Sequence, residues 1–297
     1  MQTNHDHGYC IFTFEGGDWD TDNFAGLERG FELASEIGLD YVEVPSYVKP
    51  GLLRGSEPRT DMQLLTRLGT IADLSAKYNV PLSAIFAAAD FWDTAEREAE
   101  FHQLSVLARV ASTFGIKHLP VTIGMYRGSE QARWSTELGR IMTEAGKRTL
   151  EFGVRLAAHP HIETPLESKD EIDAFFDAAD PEYVGFCLDT GHVLAGGADL
   201  VTLTKDYASV ISYVHAKDVD SAAASRAVAA SDSRARYHAF RDPGEGDVDF
   251  SGVFEALFAA GFNGPILAEN DFTPDPEKAL RKSDEYLRKT LSSASTC

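Results

Sequence analysis

A short stretch near the middle of the chain carries residue types that are typical of a catalytic site. In Cys187-Leu188-Asp189-Thr190-Gly191-His192, an apolar run ends in a carboxylate, and a turn containing glycine then brings in an imidazole. The end of a buried strand is rigid while the turn after it is open to solvent, so Asp189 and His192 can face one small site. The alternative is that Asp189 only caps the turn and His192 is an exposed side chain.

Similar residues follow four other apolar runs, and they favour the first interpretation. They are Glu43, then His159, His161 and Glu163, then His215 and Lys217, and finally Glu269. Imidazole and carboxylate groups without a thiolate suit a divalent cation such as Mn²⁺, Mg²⁺, Co²⁺ or Zn²⁺. Without a cation, a buried cluster of this kind would be costly to hold together. The pattern predicts one divalent cation per chain, with Mn²⁺ as the first candidate.

A repeated pattern indicates how the chain positions these residues. Helix-like segments end in an apolar or aromatic residue, then Gly or Asn, and then the next apolar run, and the first repeats lie about 40 residues apart. The Gly or Asn positions are Gly38, Asn79, Gly115, Gly153 and Gly261. Both residue types tolerate the left-handed conformation that closes a helix. Eight strand–helix units fit into 297 residues, which predicts an α/β fold, the (β/α)8 TIM barrel.

The eight predicted strands are short and apolar, as parallel strands covered on both faces should be. They span residues 9–14, 41–44, 82–86, 118–121, 154–159, 184–188, 211–215 and 265–268. In such a barrel the active site lies at the C-terminal ends of the strands, which is where the candidate ligands stand. We predict a single domain over residues 1–297, with an Ala/Ser-rich loop insertion near 220–240 that is clearest at 221–233.

The overall composition limits the class of function. A net charge of -20 opposes binding of nucleic acid through the general field of the protein. The three cysteines stand at scattered positions and predict neither a disulfide framework nor a cysteine-based zinc site. No apolar stretch is long enough to span a membrane, and residues 1–7 are polar. We therefore expect no membrane span, no signal peptide and a cytoplasmic location.

Several motifs resemble those of a known family. LDTGH, YVHAKD, PGEGDVDF and ILAEND are similar to runs in the sugar phosphate isomerase/epimerase superfamily of xylose-isomerase-like TIM barrels. HPHIET and the closing DPEKALRKSDEYL most resemble inosose dehydratases of inositol catabolism. The resemblance covers essentially the whole chain, and it implies one divalent cation held by a residue from each of strands five to eight. Carried over to this chain, it implies His159, Asp189, His215 and Glu269 as the metal ligands.

Roles around the cation follow from the resemblance and from one departure. We expect Glu269, His161, His192 and Lys217 to be catalytic, and Glu43, Glu163, His192 and Lys217 to contact the substrate. Epimerases of the superfamily usually carry a glutamate on strand five, but this chain has His159 or His161 there. Side chains alternate along a strand, so both face the same way, and which of the two binds the cation is left open. The departure disfavours an epimerase that uses two glutamates.

The chemistry expected of such a site starts at a carbon next to a carbonyl. The cation polarises the carbonyl while a positioned base removes the neighbouring proton. Return of a proton to the adjacent carbon gives an isomerase, return on the other face an epimerase, and loss of a β-hydroxyl a dehydratase. The ligands alone do not distinguish these reactions. The predicted substrate is a small keto-sugar or keto-cyclitol.

Two other classes of function need consideration. A nuclease of the endonuclease IV type would carry more histidines on early strands, whereas strand two offers only Glu43 and strand three ends in Phe86 followed by alanines. A non-catalytic sugar-binding barrel would need neither a tightly held cation nor a base. Exchange of the substrate α-proton in deuterated water separates these classes.

The substrate itself is not identified by the sequence. Loops at 14–19, 47–54, 90–92 and 125–127 carry aromatic and basic residues that are expected to line a polyol pocket. No glycine-rich phosphate loop is evident, but Arg54, Arg59 and Arg127 leave a phosphorylated substrate open. Whether the chain forms a homo-oligomer is also left open.

Overall fold

Eight parallel strands close into a barrel. The structure, a computed structural model, describes residues 6–15, 23–46, 61–124 and 131–295. Its strands are β1 (Gly8–Cys10), β2 (Tyr41–Pro45), β3 (Leu82–Ala89), β4 (His118–Ile123), β5 (Arg155–His159), β6 (Val184–Asp189), β7 (Ile211–Ala216), β8 (Asp218–Val219), β9 (Phe240–Arg241) and β10 (Ile266–Ala268). The barrel runs from β1 through β7 and then β10, and it closes where β10 pairs with β1. The predicted (β/α)8 TIM barrel is confirmed, and its extent over residues 1–297 stays a prediction.

The helices surround the barrel and end where the repeated pattern predicts. They are α1 (Phe24–Ile37), α2 (Asp61–Tyr78), α3 (Arg97–Thr113), α4 (Gln131–Leu150), α5 (Lys169–Phe176), α6 (Thr190–Ala195), α7 (Leu200–Tyr207), α8 (Ser221–Ala229), α9 (Ser233–Tyr237), α10 (Phe250–Ala259) and α11 (Pro276–Ala294). The five predicted closing residues all have positive φ, namely Gly38 (72°), Asn79 (54°), Gly115 (75°), Gly153 (74°) and Gly261 (81°). Within the described ranges, no helix is long and apolar enough to cross a membrane.

The first strand is shorter than the sequence predicts. The apolar run predicts a strand over residues 9–14, but β1 ends at Cys10 and a 3₁₀ helix covers Ile11–Glu15. A buried ion pair holds this helix, because Arg67 of α2 donates to the Glu15 carboxylate at 2.7 Å. A short apolar run is compatible with either conformation, and here a contact distant in sequence decides between them.

The Ala/Ser-rich segment after β7 is mostly helical, which corrects the predicted loop near 220–240. It forms α8 and α9 between the antiparallel strands β8 and β9. Asp220 and Asp232 cap the two helices by accepting the N–H groups of Ala223 at 2.7 Å and Ala235 at 2.9 Å. Alanine has the highest helix propensity, and aspartate is a favoured N-cap. The Ala/Ser-rich composition, from which a loop was predicted, therefore favours short capped helices.

The inside of the barrel is built in layers. One layer, which we call the floor, consists of Cys10, Phe12, Ala84, Ala157, Cys187, Tyr213 and Leu267. Side chains alternate along a strand, so a residue two positions farther along points the same way. Ala157, Cys187, Tyr213 and Leu267 are followed in this manner by His159, Asp189, His215 and Glu269. Strand alternation thus brings the four predicted cation ligands to the C-terminal mouth of the barrel.

A buried carboxylate shapes the turn after β3, on the same side of the barrel. Glu100 of α3 accepts the backbone N–H groups of Asp90 and Phe91, each at 2.9 Å. Phe91 has a positive φ of 58°, which is unfavourable for an aromatic residue and needs such support. Burial raises the pKa of Glu100 from 4.5 to about 7.

The raised pKa predicts a pH dependence of stability. The folded state holds the Glu100 proton more tightly than the unfolded state, so this contribution is full below about pH 4.5 and is lost as the pH rises through about 7. We expect up to about 3 kcal/mol in the free energy of unfolding, and Glu100→Gln should remove this dependence. Urea unfolding of both proteins at about pH 4.5 and about pH 8 measures it. An equal change in the two proteins would contradict the prediction.

Candidate metal centre

Four ligand-type side chains meet at the C-terminal mouth of the barrel. They are His159 at the end of β5, Asp189 at the end of β6, His215 in β7 and Glu269 directly after β10. One nitrogen or oxygen atom from each lies within 4.8 Å of the others, and all four residues are buried. Strand pairing contributes to the convergence, since Asp189 aligns with His215. The structure therefore brings together the four residues that were expected to bind the cation.

The atoms that face one another in this cluster form close ion pairs but no hydrogen bond of good geometry. His159 Nε2 lies 3.4 Å from Asp189 Oδ2, and His215 Nδ1 lies 2.6 Å from Glu269 Oε2. Within the described part of the chain, none of these four atoms has a hydrogen-bond partner. Leaving a buried polar atom unpaired costs about 1–3 kcal/mol. A divalent cation would use all four atoms, and two imidazoles with two carboxylates are a suitable donor set, so the residues fit such an ion.

Two of the candidate ligands are oriented by contacts on their far sides. The Thr122 hydroxyl lies 2.9 Å from His159 Nδ1, which leaves Nε2 facing the cluster. The backbone N–H of His192 donates to Asp189 Oδ1 at 2.8 Å, which leaves Oδ2 facing the cluster. Contacts of this kind fix the tautomer and orientation of metal ligands.

Glu43 supports His215 in the same way. Its carboxylate lies 3.1 Å from His215 Nε2, the ring nitrogen opposite the one that faces the cluster, and it also accepts the Cys10 thiol at 3.3 Å. Glu43 is only 2% exposed. The sequence assigns Glu43 to the substrate, whereas the structure places its carboxylate behind a candidate ligand. The difference arises because the contact joins two strands that are not neighbours, which sequence spacing does not reveal.

We expect Glu43→Ala to weaken binding of a divalent cation by about 10- to 100-fold, the usual effect of losing a group that orients a metal-bound histidine. Glu43→Gln should lose less, because its amide oxygen can still accept the His215 Nε2 proton. Calorimetric titration with Mn²⁺ measures both variants, and thermal unfolding checks that they are folded. Unchanged affinity in a folded Glu43→Ala variant would argue against this supporting role.

Lys217 lies at the centre of a second set of contacts. Its Nζ is 2.9 Å from Glu269 Oε1, 2.8 Å from Asp271 Oδ2 and 3.2 Å from His192 Nε2. Burial acts against the charged form, but the neighbouring Asp271, Glu269 and Asp189 raise the pKa of Lys217 well above its usual range. The side chain is therefore an ammonium group that holds the outer oxygen of Glu269 and leaves Oε2 facing the cluster.

The two acidic residues around Lys217 differ in how tightly they hold a proton. Although burial acts in the opposite direction, Lys217 and His215 lower the pKa of Glu269 well below its usual range. Burial raises the pKa of Asp271 to about 7. Asp271 is a site residue that the sequence analysis did not single out. Its position two residues after Glu269, just past the end of β10, is the signal that could have found it, because loops that follow barrel strands lie at the C-terminal face.

Two further histidines stack beside the cluster, with the ring centroids of His161 and His192 only 3.9 Å apart. His192 Nδ1 accepts the Ile162 N–H at 3.1 Å, while its Nε2 lies 3.2 Å from Lys217 Nζ. His161 Nδ1 donates to the Ile162 carbonyl at 2.7 Å, which leaves its Nε2 as an acceptor. Burial lowers the pKa of His161 to about 3 and that of His192 well below its usual range. Of the two histidines on strand five, His159 joins the cluster and His161 packs outside it.

The helical insertion after β7 covers one side of the site. The Phe240 ring centroid lies 4.5 Å from that of His192, and the Tyr237 ring centroid lies 5.7 Å from that of His161. Neither aromatic residue was singled out from the sequence. The available signal is the position of the insertion after a barrel strand, since loops that follow strands lie at the C-terminal face.

Glu163 follows β5 in a constrained turn. Its φ is 63°, and its backbone N–H donates to Glu167 Oε2 at 2.6 Å. Its side-chain Oε2 is buried and has no hydrogen-bond partner among the residues that the structure describes. An unpaired carboxylate oxygen of this kind can accept a hydrogen bond from a hydroxyl group of a bound polyol.

Much of the predicted pocket wall lies outside the described residues, namely 16–19, 47–54, 59 and 125–127. The loop at 90–92 is described, and there Trp92 stacks on Trp134 with ring centroids 4.2 Å apart and an angle of 7° between the rings. A flat aromatic surface after a barrel strand suits the apolar face of a sugar ring.

Comparison with known proteins identifies the family. A family model described as "xylose isomerase-like TIM barrel" matches residues 31–290. An inosose dehydratase from Geobacillus thermodenitrificans (strain NG80-2) is 31% identical over 155 residues, which are 50% of this chain and 52% of that protein. The chain thus spans about half the length of the curated relatives it matches.

Solved structures share the fold at low sequence identity. D-allulose 3-epimerase from Methylomonas sp. in complex with D-allulose superposes with a TM-score of 0.71 and 19% identity over 97% of each chain. A protein named IOLI, solved with a binding zinc atom, superposes with a TM-score of 0.69 and 17% identity over 94% of this chain and 97% of that one. Because the family model covers most of the sequence, this chain belongs to the xylose isomerase-like TIM barrel family.

Proposed function

We propose that the protein is a divalent-metal-dependent enzyme that removes a proton next to the carbonyl of a keto-sugar or keto-cyclitol. The observation that carries this proposal is the convergence of four buried ligand atoms, His159 Nε2, Asp189 Oδ2, His215 Nδ1 and Glu269 Oε2. These residues would hold one divalent cation, with Mn²⁺ as the proposed ion. When bound, the cation polarises the carbonyl and makes the neighbouring C–H bond more acidic.

The surrounding residues supply the proton chemistry. Glu269 is the proposed base, because Lys217, 2.9 Å from Oε1, keeps its carboxylate charged while Oε2 faces the cluster. The ammonium group of Lys217 stabilises negative charge that develops on the substrate. His192, whose Nε2 lies 3.2 Å from Lys217 Nζ, is the proposed acid for a leaving hydroxyl, with His161 beside it. Glu163 and the aromatic residues around the mouth are proposed to bind the polyol.

Dehydration is the branch that these groups favour. An epimerase that uses two glutamates needs a carboxylate base on each face of the substrate, but the strand-five position that usually carries the second glutamate is His159 or His161 here. In a dehydration the C–H and C–OH bonds break, a C=C bond forms, and His192 protonates the departing hydroxyl so that water leaves. The match to inosose dehydratases over half their length supports a keto-cyclitol as the substrate.

Incubation of candidate keto-cyclitols and keto-sugars with the protein in deuterated water tests the proposal. We expect NMR to show loss of the α-proton signal, together with an unsaturated product from the keto-cyclitol. Exchange together with formation of an isomer or epimer would support the proposed proton abstraction but contradict the dehydratase assignment. Binding without exchange would favour the non-catalytic sugar-binding barrel.

Two further expectations stay predictions. They are the cytoplasmic location and the absence of nucleic acid among the partners, while a homo-oligomer stays an open alternative. The net charge of -20 supports the second of these, because a strongly negative surface repels a polyanion.

A further inference from the structure

The floor beneath the candidate metal centre contains a thiol. Cys187 precedes Asp189 by two residues on β6 and points into the barrel with it, and its side chain is fully buried. One ligand atom each from Cys187, His159 and His215 lies within 4.8 Å of the other two. The same two imidazoles therefore belong to two overlapping donor sets, one completed by carboxylates above and one completed by sulfur below.

We propose that Cys187, His159 and His215 form a second binding position for a thiophilic divalent cation such as Cd²⁺ or Zn²⁺, one layer deeper than the proposed centre. The proposal rests on the proposed function in one respect, since it shares two ligands with the proposed cation site. Sulfur and imidazole donors select softer ions, whereas carboxylates suit Mn²⁺ and Mg²⁺. Binding forms a sulfur–cation bond in place of the S–H bond and releases one proton to solvent.

Of the two thiols in the floor, Cys187 is the one positioned for this role. The Cys10 thiol donates to Glu43 at 3.3 Å, and the His215 nitrogen on that side lies 3.1 Å from the same carboxylate, so those atoms already have partners. Within the described part of the chain, His159 Nε2 and His215 Nδ1 make no hydrogen bond of good geometry, and their close neighbours are the carboxylates of Asp189 and Glu269. Cys187 therefore offers a sulfur atom to two buried imidazoles on the side away from those carboxylates.

Shared ligands have a consequence for the centre above. One imidazole nitrogen cannot face two cations at once. A cation in the deeper position therefore excludes a cation from the upper position, and the reverse. A thiophilic ion that moves toward Cys187 also moves away from Asp189 and Glu269, which lie on the substrate side. The deeper position would thus displace the ion of the proposed enzyme and leave the carboxylates without it.

Titration of the full chain with Cd²⁺ tests the proposal directly. We expect an ultraviolet charge-transfer band from a cadmium–thiolate bond and a ¹¹³Cd NMR resonance shifted by sulfur ligation. Cys187→Ser should lose the band and weaken Cd²⁺ binding by at least about tenfold. Losing a group that only orients a metal ligand already costs that much, and Cys187 would be a ligand itself. The affinity of this variant for Mn²⁺ should change by less than about twofold. Cys10→Ser, a matched change in the same layer, should keep the band.

Competition supplies a second measurement. We expect Cd²⁺ to release bound Mn²⁺, seen as the rise of the free Mn²⁺ signal in electron paramagnetic resonance. If wild type binds Mn²⁺ but shows no thiolate band with Cd²⁺, the deeper position is wrong and the upper centre stands. If neither ion binds, the metal centre itself is wrong. Should Cys187→Ser fail to fold, Cys187→Ala still decides, because a band that is lost in this variant and kept in Cys10→Ser must come from the Cys187 sulfur.

Discussion

Glu269→Gln is expected to lower turnover by about 10²- to 10⁴-fold while the protein stays folded, the usual range for a general acid–base group. In the structure, Oε2 of Glu269 lies 2.6 Å from His215 Nδ1 and faces the cluster, while Oε1 lies 2.9 Å from Lys217 Nζ. A carboxylate can ligate a cation with one oxygen and take a proton with the other. An amide ligates weakly and cannot act as a base, so glutamine imitates only part of this double role.

Steady-state turnover and bound metal should be measured together for this variant. Glu255→Gln on the exposed face of α10 is a matched control, and we expect it to keep wild-type turnover. Near-normal turnover in Glu269→Gln would remove this residue as the base and transfer the role to an imidazole or to Lys217. Loss of turnover with full retention of bound cation would identify the proton-transfer role as the dominant one.

The two histidines of strand five should respond differently to the same truncation. His159→Ala is expected to lower cation affinity by more than about 100-fold, because it removes a ligand and not only a supporting group. His161→Ala should keep the cation and lose rate or substrate affinity, since His161 stacks on His192 outside the cluster. Elemental analysis after dialysis gives the cation content, and kcat and KM separate chemistry from binding.

Each variant is the control for the other, because the substitution and the strand are the same. Equal loss of cation in both would contradict the assignment of His159 as the ligand. Loss of cation in His161→Ala alone would reverse it. If His161→Ala raises KM and leaves kcat unchanged, this residue is a substrate contact and proton transfer is left to His192.

The barrel and the strand ends that carry ligand-type residues could be predicted because both depend on local patterns, whereas the set of four ligands followed from the family resemblance and left His159 or His161 open on strand five. Glycine or asparagine closes a helix through its own conformation, so Gly38 and Asn79 mark the unit boundaries wherever the rest of the chain packs. Strand alternation likewise fixes which side chains share a face. Asp189 and His215 stand at the ends of adjacent strands, and topology alone then brings them together.

The remaining features depend on contacts between distant segments. The buried Arg67–Glu15 pair accompanies the 3₁₀ helix that replaces the end of the first predicted strand, and no local pattern indicates it. Glu43 meets His215 through the barrel interior, so its supporting position becomes visible only in three dimensions. The insertion between β8 and β9 was located by composition, but the contact of Phe240 with His192 depends on how it folds back over the site.

The most direct test of the account measures α-proton exchange before and after removal of the cation. The protein is dialysed against a chelator, its metal content is determined, and a keto-cyclitol is followed by NMR in deuterated water. We predict that exchange disappears when the cation is removed and returns on addition of about one equivalent of Mn²⁺ per chain. Exchange that continues at the original rate in fully metal-free protein would contradict the account.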